Sequence, residues 1–306
     1  MKYGQWIVLI LTLCFGLPST AQEDTGTRYP IMMVHGIFGF DSLLGVDYFY
    51  GVPEALSREG STVFLTAVSA ANATEIRGEQ LLMEVEQILA LTGAKKVNLI
   101  GHSHGGPTVR YVASVAPHLV ASVTTVGGVN WGSPVADAVL GTLPDGSVSR
   151  EVAITAANAL ANLIELLSGS SNRPTDSLAA AESLSTQGTL EFNALYPEGV
   201  PDQYCGEGKM LEDNGVYYFS WSGSRAYTNP FDITDPFLAI TSLIIPEAND
   251  GLVSSCSSRL GRVINDSYRM NHLDEINHSF GLSHFWETDP KQIYLEHARR
   301  LKQLGL

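Results

Sequence analysis

The residues best suited to chemistry are Gly101-His102-Ser103-His104-Gly105, a Gly-x-Ser-x-Gly pentapeptide. It follows the apolar run Val97, Leu99, Ile100 and precedes a helix-compatible segment, Thr108 to Val115. A buried strand that turns sharply into a helix puts the serine at the tip of the turn, with its hydroxyl free to attack a carbonyl. Glycine is needed at 101 and 105 because a Cβ on either side would collide with neighbouring backbone. A serine hydroxyl is a poor nucleophile near neutral pH, so Ser103 needs an imidazole to take its proton and a carboxylate to steady that imidazole. The tetrahedral intermediate also needs N–H donors for its oxyanion. The backbone N–H of His104 is one candidate. The N–H of Ile37, after His35-Gly36 at the end of the first strand, is the other; the His35 side chain is read as a brace for that loop.

Two downstream loops supply partners in the order serine, acid, histidine that α/β-hydrolases share. Asp250, in Asn249-Asp250-Gly251-Leu252-Val253, is the candidate acid. His272, in Asn271-His272-Leu273-Asp274-Glu275, is the candidate base. The residues alone leave rivals open. Asp232, Asp235 and Asp266 compete for the acid, since an Asn-Asp-Gly turn is often no more than a turn. His278, His284 and His297 compete for the base, and His297 reads as a helix-surface residue.

Alternating strand and helix patterns position these groups. Strands are expected at Tyr29 to Val34, Ser61 to Val68, Val97 to Ile100, Val120 to Val126 and Val216 to Ser222. Helices are expected at Val52 to Arg58, Glu75 to Leu91 and Thr108 to Val115, with a closing amphipathic helix from Asp289 to Leu304. Short apolar strands in βαβα order predict an α/β fold with a mostly parallel sheet covered on both faces and the site at the strands' carboxyl ends. Ala136 to Leu140 and Val152 to Leu167 are helix-like, flanked by Gly/Ser-rich stretches at Gly141 to Ser149 and Ser168 to Asp176. The region from about 131 to 176 therefore reads as a mobile helical lid over a greasy substrate. Phe237 to Ile245 is apolar but ambiguous. No linker divides residues 22–306 into separate domains.

The chain has 306 residues, 44% hydrophobic and 16% charged, which is a globular composition, and carries a net charge of −14. That balance argues against nucleic acid or an anionic membrane as an electrostatic partner, but not against an uncharged lipid surface. Lys2, the apolar run Trp6 to Phe15 and the small residues Ser19-Thr20-Ala21 read as a secretory signal, residues 1–21, cut after Ala21. A lipid anchor on Cys14 is disfavoured by bulky Leu13 before it. Cleavage leaves Cys205 and Cys256, which in an oxidising compartment most simply pair.

The chain resembles the secreted, foldase-dependent bacterial true lipases, the family I triacylglycerol lipases, from Tyr29 to the C-terminus. The motifs that carry the resemblance are YPIMMVHGIFGFD, LLGVDYFYGVP, RGEQLL, VNLIGHSHGGPTVRYVA, YFSWSG, ANDGLV and YRMNHLDEIN. It implies an α/β-hydrolase fold, a Ser103, His272 and Asp250 triad, and oxyanion donors at Ile37 and His104. It further implies one structural calcium ion, held by Asp232, Asp274 and the carbonyls of His278 and Leu282, and a Cys205–Cys256 disulfide. The substrate implied is a long-chain acylglycerol at a lipid–water interface. A membrane-anchored lipase-specific foldase is implied during export through the periplasm, and a monomer is expected. Gly128 to Ser133 departs from the more polar family stretch, beside the expected lid. An esterase or phospholipase acting on shorter or polar esters is the alternative, with a non-catalytic lipid-binding relative behind it.

Overall fold

The computed structural model describes residues 26–37, 42–43, 46–144, 146–167 and 175–306. The signal segment and the second Gly/Ser-rich stretch through residue 174 lie outside them. In chain order the elements begin with β1 (Ile31–Val34), β2 (Ser42–Leu43), β3 (Val46–Asp47), α1 (Val52–Arg58), β4 (Val63–Leu65) and α2 (Thr74–Thr92). They continue with β5 (Val97–His102), α3 (Gly105–Val115), β6 (Val120–Val126), α4 (Pro134–Leu140), α5 (Arg150–Leu167), α6 (Ser177–Leu184) and α7 (Thr186–Leu195). The chain closes through β7 (Tyr217–Gly223), α8 (Asp235–Thr241), β8 (Arg262–Tyr268), a single turn α9 (His278–Gly281) and α10 (Pro290–Gln303).

Six strands form one sheet in the order β4-β1-β5-β6-β7-β8, and every pairing in it is parallel. β5 and β6 are buried along their whole length, as a sheet covered on both faces requires. Side chains alternate across the pleat, so β1 sends Ile31 and Met33 to one core with α1 and α10, and Met32 and Val34 to another with α2 and α3. The first core holds Val52, Leu56 and Tyr294, the second Leu81, Val85 and Val112.

Strand ends differ by one to three residues from the sequence reading, at β1 and β4 in particular. β5 runs on to His102, and α3 begins at Gly105 instead of Thr108. The ambiguous segment after 236 is helical: α8, then a 3-10 turn at Ser242–Ile244. Between β6 and β7 the chain leaves the sheet to build α4 to α7; α4, α5 and α6 line a cavity at Ser103, while Phe192 of α7 packs into the core with α2 and α3. The disulfide implied by the resemblance joins Cys205 to Cys256, with Cα atoms 4.3 Å apart. No helix among the described residues is long and apolar enough to cross a membrane.

Candidate active site

Ser103 follows the last residue of β5 and adopts a left-handed backbone, φ 57°, which non-glycine residues rarely do. The turn is fixed from both sides: Ser103 N–H donates to the Val126 carbonyl at 3.0 Å, and its own carbonyl accepts from Gly106 N–H at 2.9 Å. A Cβ on Gly101 would lie 2.1 Å from the Gly105 oxygen, and one on Gly105 would lie 2.3 Å from the Val34 oxygen. The strained backbone at Ser103 is thus held by packing that admits only glycine beside it. His104 is the N-cap of α3, where the first N–H groups of a helix lack intrahelical partners and the helix dipole favours negative charge.

The loop after β1 approaches Ser103 so closely that a Cβ on Gly36 would stand 2.6 Å from Ser103 Cβ. Buried Arg77, from α2, holds this loop. Its Nη2 donates to the His35 carbonyl at 2.6 Å, and its Nη1 to Ser69 at 2.5 Å and to Gly36 and Ala70 at 3.3 Å; Nε donates to Thr108 Oγ1 at 3.2 Å. These acceptors are all neutral, and burial draws the guanidinium down to about 9. His35 Nδ1 also lies 2.8 Å from the Gly36 oxygen, and burial lowers the ring to about 3. Because a trans peptide sets its N–H opposite its carbonyl, pinning the Gly36 carbonyl toward Arg77 turns the Ile37 N–H the other way. Ile37 and Ser103 line the same cavity.

Asp250 is fully buried in its turn. Oδ1 accepts from Leu252 N–H at 2.9 Å and Val253 N–H at 2.7 Å, which leaves Oδ2 to meet His272 Nδ1 at 2.7 Å. The same two residues are tied again through His272 N–H and the Asp250 carbonyl, 2.9 Å. With Nδ1 donating, Nε2 is the acceptor face of the imidazole; it has no hydrogen-bond partner, and His272 and Ser103 line one cavity.

The rivals are engaged elsewhere. Asp235 accepts from Thr228 N–H, Asn229 N–H and Asn271 Nδ2. Asp266 pairs with Arg259 at 2.6 Å. Asp232 binds the N–H and hydroxyl of Thr234 through Oδ1. His284 lies in an exposed loop beside Trp286. His278 lines the cavity in the field of the Asp232 carboxylate, and burial lowers its ring. His297 is not on the surface: it is buried, 2.8 Å from Thr124 Oγ1 and packed against Phe219 and Trp221.

A second buried chain of polar groups escaped the sequence reading. Gly36 N–H donates to Tyr48 Oη at 2.8 Å; Tyr48 Oη lies 2.7 Å from His102 Nδ1; His102 Nε2 lies 2.8 Å from the His272 carbonyl. Since a carbonyl only accepts, Nε2 carries the proton and Nδ1 accepts from the tyrosine, so every bond in the chain is satisfied in one direction. Glu275 Oε2 lies 3.4 Å from His102 Nε2. Burial, reinforced by the Asp250 charge, holds the Glu275 carboxyl well above the usual range. Gly127 makes room for it, as a Cβ there would fall 2.0 Å from Glu275 Oε2.

Over these groups lies a cavity of about 300 Å³. Its walls come from the cap and are aliphatic: Leu160, Leu163 and Ile164 of α5, Ala180 and Leu184 of α6, and Val135 of α4. Such a space, with mostly aliphatic walls and few polar side chains beyond those near Ser103, suits an acyl chain.

Two sets of residues bear on metals. Asp232 Oδ2 and Asp274 Oδ1 are buried without a hydrogen-bond partner. Burial and the nearby Asp235 and Asp232 carboxylates push Asp274 up to about 8. Two orphaned carboxylate oxygens in one field are what a hard cation with oxygen ligands relieves, so these residues fit calcium. His102, His272 and Glu275 also offer ligand atoms within 4.8 Å of one another, a possible metal-binding group. Both His102 nitrogens are already used in the chain of bonds above.

Known proteins give this geometry its context. The model of the α/β hydrolase fold family matches residues 29–276. A triacylglycerol lipase of Vibrio cholerae is 58% identical over 285 residues, covering 93% of this chain and 91% of that protein. One from Pseudomonas fragi is 41% identical over 293 residues, covering 93% and 99%. Among solved structures, the mature form of a Bacillus licheniformis lipase superposes with a TM-score of 0.58 at 19% identity, over 82% of this chain and 89% of that one. A metagenomic carboxyl esterase gives 0.61 at 18% identity, over 91% and 77%. At those identities the structures speak for the fold alone, whereas the sequence relatives match across nearly the whole chain. By descent as well as by architecture, the chain belongs to the α/β-hydrolase fold family and, within it, to the bacterial triacylglycerol lipases.

Proposed function

We propose that this chain hydrolyses long-chain acylglycerols at a lipid–water interface through a Ser103 acyl-enzyme. The observation that carries the proposal is the 2.7 Å bond from His272 Nδ1 to buried Asp250, with Nε2 left as an acceptor beside the cavity that Ser103 lines. His272 Nε2 takes the Ser103 proton as Oγ adds to the ester carbonyl. The tetrahedral oxyanion is met by the Ile37 and His104 N–H groups, preset because the loop and helix that bear them are held before substrate arrives. The imidazolium, steadied by Asp250, gives its proton to the departing glycerol oxygen. Water then repeats the sequence on the acyl-enzyme: His272 removes its proton, the fatty acid leaves, and Ser103 is restored. The aliphatic cavity under α5 and α6 holds the acyl chain.

Asp232 and Asp274, with the carbonyls of His278 and Leu282, would hold a calcium ion. Bound there, it supplies positive charge to the loop carrying His272 and takes no part in bond making. The signal at 1–21 and the disulfide support secretion through the periplasm, where a dedicated foldase is the proposed folding partner and the mature enzyme works as a monomer. The test is Ser103→Ala, which should abolish hydrolysis of emulsified triacylglycerol while the melting temperature stays at or above that of the wild type; retained turnover refutes the assignment.

A further inference from the structure

Five large apolar side chains stand unusually far out of two adjoining loops: Phe231 and Ile233 in one, Phe280, Phe285 and Trp286 in the other, each between 66% and 83% exposed. The loops are stitched together by Asn229 Nδ2 donating to the Ser283 carbonyl at 3.0 Å. The second is also pinned to the body of the molecule, through Asn277 Nδ2 and the Tyr50 carbonyl at 2.7 Å. Phe280 is presented from a left-handed backbone, φ 59°, next to Ser279 at φ 53°. A bulky residue in that conformation is strained, and burial does not repay the strain, because the side chain is 67% exposed, with Tyr50 at its edge. Single exposed hydrophobic residues are ordinary; five on two linked loops form a patch.

Charge and position identify what covers the patch. From Ile276 to Trp286 no residue is Asp, Glu, Lys or Arg, within a chain of net charge −14. A basic protein or an anionic membrane would be drawn to the acidic remainder or repelled by it, whereas a neutral surface rich in Phe and Trp matches the boundary of an uncharged lipid phase. The patch also adjoins the cavity, since Ile276 and His278 line it and Phe280 follows two residues on. We propose that these five residues are a fixed anchor, separate from the cap, that seats the enzyme on an uncharged or zwitterionic lipid–water interface. This rests on the lipase reading above and adds where that lipid surface is gripped.

Trp286 is its own reporter, because Trp221 is buried and Trp131 is packed on Tyr204. In a Ser103→Ala background, mature protein mixed with phosphatidylcholine vesicles carrying triolein should show a blue-shifted tryptophan emission, and Trp286→Phe should remove the shift while vesicle sedimentation persists. Phe285→Ser with Trp286→Ser should weaken sedimentation about tenfold or more. With Ser103 restored, the double variant should keep full turnover of a soluble short-chain ester and lose it on emulsified triolein. Unchanged sedimentation overturns the anchor, as does an equal loss on both esters. So does a lipid-free dimer that the double variant abolishes, which would make a second copy the occupant. If the wild type cleaves neither ester, the lipase reading fails while sedimentation still decides the anchor.

Discussion

Tyr48 has a part out of proportion to its visibility in the sequence. Its hydroxyl accepts from the N–H of Gly36, on the loop that turns Ile37 toward Ser103, and lies in hydrogen-bond contact with His102, whose far nitrogen reaches the His272 carbonyl. One phenol thus connects the loop after β1 with the stretch of chain that bears His272, the proposed base. Tyr48→Phe keeps the ring packing on Phe49 and deletes these bonds. Losing preorganised donors around a developing charge costs orders of magnitude when the donor is direct; for a group acting one bond away, kcat should fall about tenfold with KM unchanged. Full activity in Tyr48→Phe, or a loss confined to KM, would remove Tyr48 from the positioning of either group. At this scale Ser103 carries a short local signature, whereas Asp250 and His272 stand among rivals until the resemblance singles them out; the structure brings those two together at 2.7 Å. Tyr48, Arg77, His102 and Glu275 were not legible, because their roles depend on partners far along the chain: His102 meets a carbonyl 170 residues away.

Among the elements, α5 ties substrate choice to the fold. Leu160, Leu163 and Ile164 lie on the cavity while Ile154, a few turns earlier, is half out in solvent, so the helix presents an aliphatic face inward from a cap built between β6 and β7. Placing an unpaired carboxylate in that wall carries a desolvation penalty that an acyl chain cannot offset. Leu160→Asp should cut turnover of emulsified long-chain triacylglycerol about tenfold or more and affect a short soluble ester far less; equal losses would mean that α5 does not contact the acyl chain. The expected helix at Val152 to Leu167 matches α5 closely because its apolar period is long. By contrast α6 and α7 went unread: they are short, rich in Ala, Ser and Thr, and begin at side-chain caps on Asp176 and Ser185 that no periodicity announces. β8 was missed for a different reason. It is an edge strand, largely half-buried, and its sequence RVINDSY carries polar residues where an interior strand would be apolar.

For the molecule as a whole, burial of ionisable groups sets the response to acid. His35, His102, His104, His278 and His297 are all lowered by burial, so the native state refuses protons that the unfolded chain accepts below about pH 6.5. Their contribution is fully present above that pH and is lost as pH falls toward the native values. Asp235, Asp274 and Glu275 are raised and act in the opposite sense: their contribution is present below about pH 4 and is lost as pH rises through the native values. Below about pH 6.5 the unfolded chain takes up protons on five histidines that the native core refuses, and the three raised carboxyls offset only part of this. The melting temperature should therefore fall as pH is lowered from about 6.5 to about 4.5; a curve that stays flat or rises on acidification would mean that these histidines are not neutral in the native core. The alternation of strand and helix, the parallel sheet and the site at its carboxyl edge were all readable in advance, since each follows from hydrophobic period and strand length.

The central claim is that Ser103 is the nucleophile and His272 its base. A serine-directed phosphonate, followed by identification of the modified peptide, tests both at once. One label, on Ser103, is expected in the wild-type protein, with the rate of labelling lowered by several orders of magnitude in His272→Ala. A label on another serine, or labelling that proceeds at the same rate without His272, would contradict it.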